Sequence, residues 1–165
     1  MTHHILLVDD ERDVLLVLED LFSNRGYRVN KASNGIQALA LLEDDPPDLI
    51  LSDYRMPEMD GITLFKAAQN ISPDTVRILL TAHGDLKIAI DAINHANVYK
   101  FITKPWNNND LIITVRRALE HHDLMVQQRA FAETLELMVE ENTEEIERLR
   151  LALREMASRI RSLIP

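Results

Sequence analysis

Five polar side chains follow short apolar runs of the sequence, and their types suit one kind of chemistry. They are three carboxylates, one hydroxyl and one ammonium, namely Asp9, Asp10, Asp53, Thr81 and Lys104. Crowded carboxylates repel each other, by about 4 kcal/mol for a pair about 4 Å apart at an effective dielectric constant of about 20, and a divalent cation relieves that repulsion. Hard oxygen ligands without histidine or cysteine favour Mg²⁺, which commonly bridges carboxylate and phosphoryl oxygens. The set therefore predicts a magnesium site for phosphoryl transfer.

These side chains need a scaffold that brings their loops together. Short β-branched or leucine-rich runs predict five strands, at residues 5–8, 27–32, 49–52, 77–81 and 99–103. Segments with helical spacing alternate with the runs, which favours an α/β fold with a parallel sheet and helices on both faces. In such a doubly wound sheet, ligands bind beyond the carboxyl ends of the strands. We therefore expect the five side chains in one crevice.

A simpler interpretation is that acidic residues after a strand only cap the next helix. Glu11 and Asp13 fit it, because a helical pattern follows them at once. Asp53 does not, because residues 54–61 come before the next helix can begin. Lys104 does not either, since it ends a strand that faces the same crevice.

The stretches around these side chains resemble the receiver domain of two-component response regulators. They read LVDDE at 7–11, LSDYRMPEMDG at 51–61, LLTA at 79–82 and FITKPW at 101–106. The resemblance covers residues 4 to about 120 in the order of the family. It implies a flavodoxin-like sheet in the order 2-1-3-4-5, a receiver domain at residues 1–120, and a sensor histidine kinase or phosphotransfer protein as partner.

The resemblance also implies roles for the acidic residues. Asp53 would be the phosphoacceptor, and Asp9 and Asp10 would hold Mg²⁺ together with Asp53 and the backbone carbonyl of Arg55. The carboxylate of Asp53 would attack phosphorus in line, and catalysis would consist mostly of positioning and charge neutralisation. The protein would then be a signalling domain with self-catalysed phosphotransfer and dephosphorylation, and not an enzyme in its own right.

By the same resemblance, Thr81 and Lys104 would bind phosphoryl oxygens, and the Lys104-Pro105 bond would be cis. Thr81 and Phe101 would form the switch, although Phe101 is also compatible with a purely structural place in the core. Arg55 and His83 would tune the lifetime of the phosphoryl group, unless both point to solvent.

Output would use the surface formed by a predicted fourth helix at about residues 86–95, the last strand and the start of the last helix. Phosphorylation would bias two packings of this surface.

Residues 109–163 contain neither glycine nor proline, which predicts one long helix. Its large side chains are spaced three and four apart, with a stutter at Asn142, as in a coiled-coil seam. We therefore predict a coiled coil at residues 121–165, continuous with the last receiver helix, and a homodimer. The alternative is a solvated helix that folds back on its own domain. The predicted seam consists of Leu124, Phe131, Leu135, Met138, Asn142, Ile146, Leu149, Leu153, Met156, Ile160 and Leu163.

Composition excludes several other classes. The 165 residues include no cysteine, which excludes disulfides, thiolate metal sites and a cysteine nucleophile. The net charge is −9 and only 5% of the residues are aromatic, so we expect no nucleic-acid binding by this chain. No apolar run approaches the roughly 18 residues of a membrane span, and we expect a cytoplasmic protein without a membrane partner.

Three alternatives stay open at this level. A magnesium phosphatase also uses an aspartate nucleophile, but it normally has a second acid two residues further on, where this sequence has Arg55. A phosphorylation-independent dimeric adaptor would keep the acidic residues as a relic. The chain is also compatible with the N-terminal regulatory part of a longer regulator whose output domain is missing.

Overall fold

Five strands form one parallel sheet in the order β2-β1-β3-β4-β5, which confirms the predicted fold class. The computed structural model describes residues 2–82 and 96–163. The strands are β1 (His4–Val8), β2 (Arg28–Ala32), β3 (Leu49–Asp53), β4 (Val76–Ala82) and β5 (Lys100–Lys104). The chain divides into two units, residues 1–125 and 126–165, and the first unit holds the whole sheet.

Four helices accompany the sheet in the described residues. They are α1 (Arg12–Ser23), α2 (Gly35–Asp44), α3 (Gly61–Ile71) and the C-terminal helix (Asn108–Leu163). Two of them begin at a side-chain cap, because Asn34 accepts a hydrogen bond from the backbone of Gln37 and Asp60 accepts one from that of Thr63. The predicted fourth helix at residues 86–95 lies outside the described residues.

Apolar side chains on the two faces of the sheet form two separate cores, because successive strand residues point to opposite faces. On one face Leu6 and Ile50 pack in a cluster with Ala38 of α2 and Phe65 of α3. On the other face a second cluster joins strand residues to α1 and to the first turns of the C-terminal helix, and it includes Leu7, Leu51, Leu18 and Leu111. Helices therefore cover both faces, as predicted.

The strand register brings the carboxyl ends of the strands to one edge. Val8 of β1 lies beside Ser52, Asp53 lies beside Leu80, and Lys104 lies beside Ala82. Asp53 and Lys104 are the last residues of β3 and β5 rather than the first residues after them. The ladder thus extends one residue further than the apolar runs, and it holds both side chains on regular backbone.

The second unit consists of the later part of the C-terminal helix, whose side chains are exposed from Val126 to Ser162 in the single chain. Within the described part of the chain, no helix combines the length and the apolar character that a membrane span requires.

Candidate functional site

Three carboxylates meet at the carboxyl edge of the sheet. Asp9, Asp10 and Asp53 each place a carboxylate oxygen within 4.8 Å of the others. Asp9 is fully buried and Asp53 nearly so, whereas Asp10 is exposed. The backbone N–H of Asp9 donates to the Ala32 carbonyl at 3.2 Å. This hydrogen bond continues the pairing of β1 with β2 and fixes the backbone of Asp9. The geometry therefore offers one solvent-facing and two buried acidic ligands to a single point.

A lysine lies between the two buried carboxylates. Lys104 Nζ is 3.0 Å from Asp9 Oδ2 and 2.7 Å from Asp53 Oδ1, and Glu11 Oε1 is 4.0 Å away. A charge-assisted hydrogen bond of this kind is roughly twice as strong as a neutral one. Lys104 thus holds together two negative charges that would otherwise repel.

Burial and pairing act in opposite directions on the titration of this pair. Burial raises the pKa of Asp53, while the hydrogen bond and the charge of Lys104 lower it. The negative charge of Asp9 raises this pKa further, and the net shift is upward. Burial alone would lower the pKa of Lys104, but hydrogen bonds with Asp53 and Asp9 outweigh it and raise that pKa. The lysine therefore stays charged at neutral pH, while the ionised form of Asp53 is held at an energetic cost.

The loop after β3 is fixed by backbone contacts that leave no room for a side chain at Gly61. The N–H of Tyr54 donates to Leu80 at 2.8 Å, and that of Gly61 donates to Tyr54 at 2.9 Å. A Cβ on Gly61 would lie 2.4 Å from the Asp53 carbonyl oxygen. Arg55, an exposed residue, uses its backbone N–H to bond the Asp53 carboxylate. This loop therefore packs closely against the backbone of Asp53 and donates a hydrogen bond to its side chain.

Thr81 is fully buried near the end of β4 and lies beside Thr103, the residue before Lys104. Its hydroxyl donates to the Ala82 carbonyl at 3.4 Å, which is long for a hydroxyl hydrogen bond. The hydroxyl is therefore loosely held. The Lys104-Pro105 peptide bond is cis, as the resemblance implies.

The remaining predicted residues do not belong to the acidic cluster, or they fall outside the residues that the structure describes. Phe101 is partly buried and packs against the core cluster that contains Leu79. His83 and the side chain of Leu163 lie outside the described residues. The other seam residues, from Leu124 to Ile160, are exposed in the single chain.

Two features of the site could not be predicted from the positions of the strand ends in the sequence. Glu11 was expected to cap α1, yet its side chain makes no capping hydrogen bond and its carboxylate approaches Lys104. The close approach of Gly61 to Asp53 follows from the fold of the loop, and the glycine itself is the only trace of it in the sequence.

Comparison with known proteins identifies the family. The sequence matches the model of the response regulator receiver domain over residues 5–116. The chain belongs to this family. The sheet order is thus that of a receiver domain, which is a signalling domain of two-component systems.

Curated relatives of this receiver are transcriptional regulators. The C4-dicarboxylate transport transcriptional regulatory protein DctD of Rhizobium meliloti (strain 1021) is 34% identical over 158 residues, which cover 93% of this chain and 34% of DctD. The DNA-binding transcriptional regulator NtrC of Salmonella typhimurium is 34% identical over 125 residues, which cover 76% of this chain and 26% of NtrC. The chain thus spans about a third or less of the length of these relatives.

Solved structures agree with the fold of the receiver. The adenylate cyclase from Rhodopirellula baltica superposes with a TM-score of 0.77 and 31% identity, over 81% of this chain and 98% of that one. The signal receiver domain of an HD domain-containing protein from Pseudomonas fluorescens Pf-5 gives a TM-score of 0.71 and 39% identity, over 74% and 98% of the two chains.

Replacing Lys104 tests the electrostatic balance of the site. Lys104→Met leaves two buried carboxylates facing each other without a counter-charge, so we expect the free energy of unfolding at about pH 7 to fall by about 1–3 kcal/mol. The loss should shrink towards about pH 4, because Asp53, whose pKa is raised, gains a proton there and no longer repels Asp9. Urea unfolding followed by the fluorescence of the single tryptophan measures both values.

The matched control is Lys100→Met, an exposed lysine on the same strand, which should change the free energy of unfolding by less than about 0.5 kcal/mol. If both variants lose the same free energy of unfolding, or if the loss in Lys104→Met does not depend on pH, then Lys104 is not the counter-charge of the two buried carboxylates.

Proposed function

We propose that this receiver accepts a phosphoryl group on Asp53 from the phosphohistidine of a sensor histidine kinase or phosphotransfer protein, in a reaction that depends on Mg²⁺. The observation that carries the proposal is the convergence of three carboxylates within 4.8 Å, two of which share one lysine. An acceptor carboxylate, acidic ligands for a cation and a fixed positive charge are the parts that phosphoryl transfer to aspartate requires.

The donor set fits magnesium. All the proposed ligands are oxygen atoms, three of them from carboxylates, and Mg²⁺ prefers such ligands while it keeps several waters. Asp10 is exposed, so the cluster is open to water on that side. We assign Asp9, Asp10 and Asp53 as ligands, with the backbone carbonyl of Arg55 as the fourth. When bound, the cation neutralises charge that develops on the phosphoryl oxygens.

The residues of the chain carry the transfer itself. A carboxylate oxygen of Asp53 attacks phosphorus, the P–N bond of the phosphohistidine breaks, and the histidine nitrogen keeps the bonding electron pair. Lys104, already 2.7 Å from that carboxylate, neutralises a phosphoryl oxygen. The loosely held hydroxyl of Thr81 donates to another.

The signal ends by hydrolysis at the same centre. Water attacks phosphorus, the P–O bond to the carboxylate breaks, and phosphate leaves with the carboxylate restored. Arg55 is exposed two residues beyond Asp53, where its side chain can order or obstruct that water. We propose that Arg55 and His83 set the lifetime in this way.

The proposed switch begins when the hydroxyl of Thr81 binds the phosphoryl group. Thr81 is fully buried, and Phe101, one strand away, is only partly buried against the core. An inward shift of Thr81 opens space into which Phe101 can move. We propose that this repacking alters the surface formed by residues 86–95, β5 and the first turns of the C-terminal helix.

Self-association is the proposed output. We propose that residues 121–165 form a coiled coil with the same segment of a second copy and that residues 1–120 are the receiver domain. Large side chains of the seam are exposed in the single chain, for example 66% of Phe131 and 64% of Leu153. Burying one such side chain is worth about 1.5–3 kcal/mol, so pairing is strongly favoured. Asn142 would set the register, as a single polar residue in a coiled-coil core does.

Phosphorylation is tested by intact mass. We expect incubation with a small-molecule phosphodonor and Mg²⁺ to add one phosphoryl group, located at Asp53 by peptide mapping, and chelation of the cation to lower its yield at least about tenfold. Asp53→Asn should abolish the adduct, because an amide is not a nucleophile. Asp44→Asn, an exposed acid on α2, is the matched control and should be phosphorylated as the wild type is. An adduct that survives in Asp53→Asn contradicts the proposal.

Dimerisation is tested with two leucines on the same helix. Leu149 lies in the seam and Leu151 outside it, yet both are 57% exposed in the single chain. Leu149→Glu should weaken self-association at least about tenfold, since one buried leucine is worth more than about 1.4 kcal/mol. Leu151→Glu should leave it unchanged. Sedimentation equilibrium measures both, and equal effects, or a monomeric wild type, would refute the seam.

A further inference from the structure

Four ionisable side chains meet at the edge of the sheet opposite the acidic site. His3 and Asp48 directly precede β1 and β3, whose starts lie at one edge because the sheet is parallel. His122 and Asp123 are neighbours on the C-terminal helix, and they belong to the first unit, shortly before the second begins at Val126. These four side chains, here called the histidine clamp, therefore join the starts of two strands to the C-terminal helix.

Each imidazole of the clamp faces a carboxylate. His3 Nε2 is 3.1 Å from both carboxylate oxygens of Asp123. His122 Nδ1 is 3.5 Å from Oδ1 of the same carboxylate, and His122 Nε2 is 3.6 Å from Oδ1 of Asp48, which are distances of ionic contacts rather than of good hydrogen bonds. The other oxygen of Asp48 accepts a hydrogen bond from the backbone N–H of His4 at 2.8 Å. Two imidazoles and two carboxylates thus alternate in one chain of contacts.

The strength of these contacts depends on protons. The clamp is partly shielded from water, since the side chain of His122 is 13% exposed and that of Asp123 is 49% exposed. A contact between histidine and aspartate is an ion pair only when the imidazole is protonated, and histidine changes its charge between about pH 5 and pH 8. The hydrogen bond with His3 lowers the pKa of Asp123, and the charges of both imidazoles act in the same direction. Asp123 is therefore ionised throughout that range.

The adjacent charged groups do not take over the role of the two imidazoles. The ring of His4 is buried, and its Nδ1 is 2.6 Å from Nη2 of Arg28, which itself pairs with Asp45. Burial lowers the pKa of His4, the charge of Arg28 lowers it further, and the opposing charges of Asp45 and Asp48 do not reverse the shift. His4 is therefore a neutral neighbour of the clamp in the pH range where histidine normally titrates.

We propose that the histidine clamp (His3, Asp48, His122 and Asp123) binds the C-terminal helix to the sheet more tightly when its imidazoles are protonated, so that acidification from about pH 8 to about pH 5.5 strengthens this joint. Above the histidine range, the two carboxylates face neutral rings, and within or below it they face cations. The stabilisation is lost as the pH rises through the histidine range, and at the acid end it is lost only when Asp123 gains a proton. A half-exposed ion pair changes an equilibrium constant by up to about fivefold.

The first test is a double-mutant cycle between His3 and Asp123. Urea unfolding is measured at about pH 5.5 and about pH 8, at one protein concentration and with EDTA, for the wild type, His3→Gln, Asp123→Asn and the double variant. We expect the pair to change the unfolding equilibrium constant by about threefold at the lower pH and to show no coupling at the higher pH, because an imidazole is neutral there. Equal coupling at both pH values, or none at the lower one, overturns the proposal.

The second test compares two adjacent histidines of the C-terminal helix. His121 lies outside the clamp, and its ring centroid is 5.2 Å from that of Tyr99. Hydrogen exchange of the backbone amides at residues 118–125 reports the local opening of the helix. With intrinsic exchange rates corrected for pH, we expect the protection factors of the wild type to fall about threefold from about pH 5.5 to about pH 8. His121→Gln should keep this response and His122→Gln should lose most of it, whereas equal responses in the two variants overturn the proposal.

Two further arms complete the design. Asp53→Asn should keep the response of the protection factors to pH, because the acidic site and the clamp lie at opposite edges of the sheet. Loss of the response in Asp53→Asn would assign it to the acidic site and overturn the proposal without bearing on phosphorylation. If Asp123→Asn does not fold, the comparison of His122→Gln with His121→Gln decides alone.

Discussion

The crowding of carboxylates around one lysine is the interaction on which the rest of this structure depends. Lys104 lies within hydrogen-bond distance of Asp9 and Asp53, two side chains that are both largely buried and both negative. The lysine compensates one charge, and the exposed Asp10 adds another. The site therefore carries more negative charge than the protein neutralises. That imbalance supports the proposed cation site and the phosphoryl chemistry that we propose for it.

The fold holds these charged side chains in place because two of them, Asp53 and Lys104, lie on regular strands. Asp53 and Lys104 are the last residues of β3 and β5, which both pair with β4 between them, so the sheet ladder limits their movement apart. The glycine at the start of α3 lets the helix approach to where a Cβ would lie 2.4 Å from the Asp53 carbonyl. Apolar clusters on both faces keep the strands in register. Electrostatic repulsion at the edge is thus opposed by packing throughout the domain.

The sequence predicts the strand ends well because each predicted site residue lies at the end of an apolar run of strand length or just after it, and parallel strands end at one edge. The order of the strands comes from the family resemblance and not from periodicity. The double pairing of Lys104 with Asp9 and Asp53 depends on rotamers and register, which no local pattern encodes. Arg77 illustrates a different failure, since an arginine at the start of a strand is normally solvent-facing, and its burial arises from tertiary packing.

The titration of the Asp53 carboxyl, followed by ¹³C NMR with and without Mg²⁺, tests the claim of crowded charge most directly. Comparison with the Asp53→Asn spectrum assigns the signal. The account predicts that burial, with the nearby charge of Asp9, raises the pKa of Asp53 above the ordinary aspartate value of about 3.9 without the cation, and that magnesium lowers it clearly. A pKa at or below the ordinary value that does not respond to magnesium would contradict it.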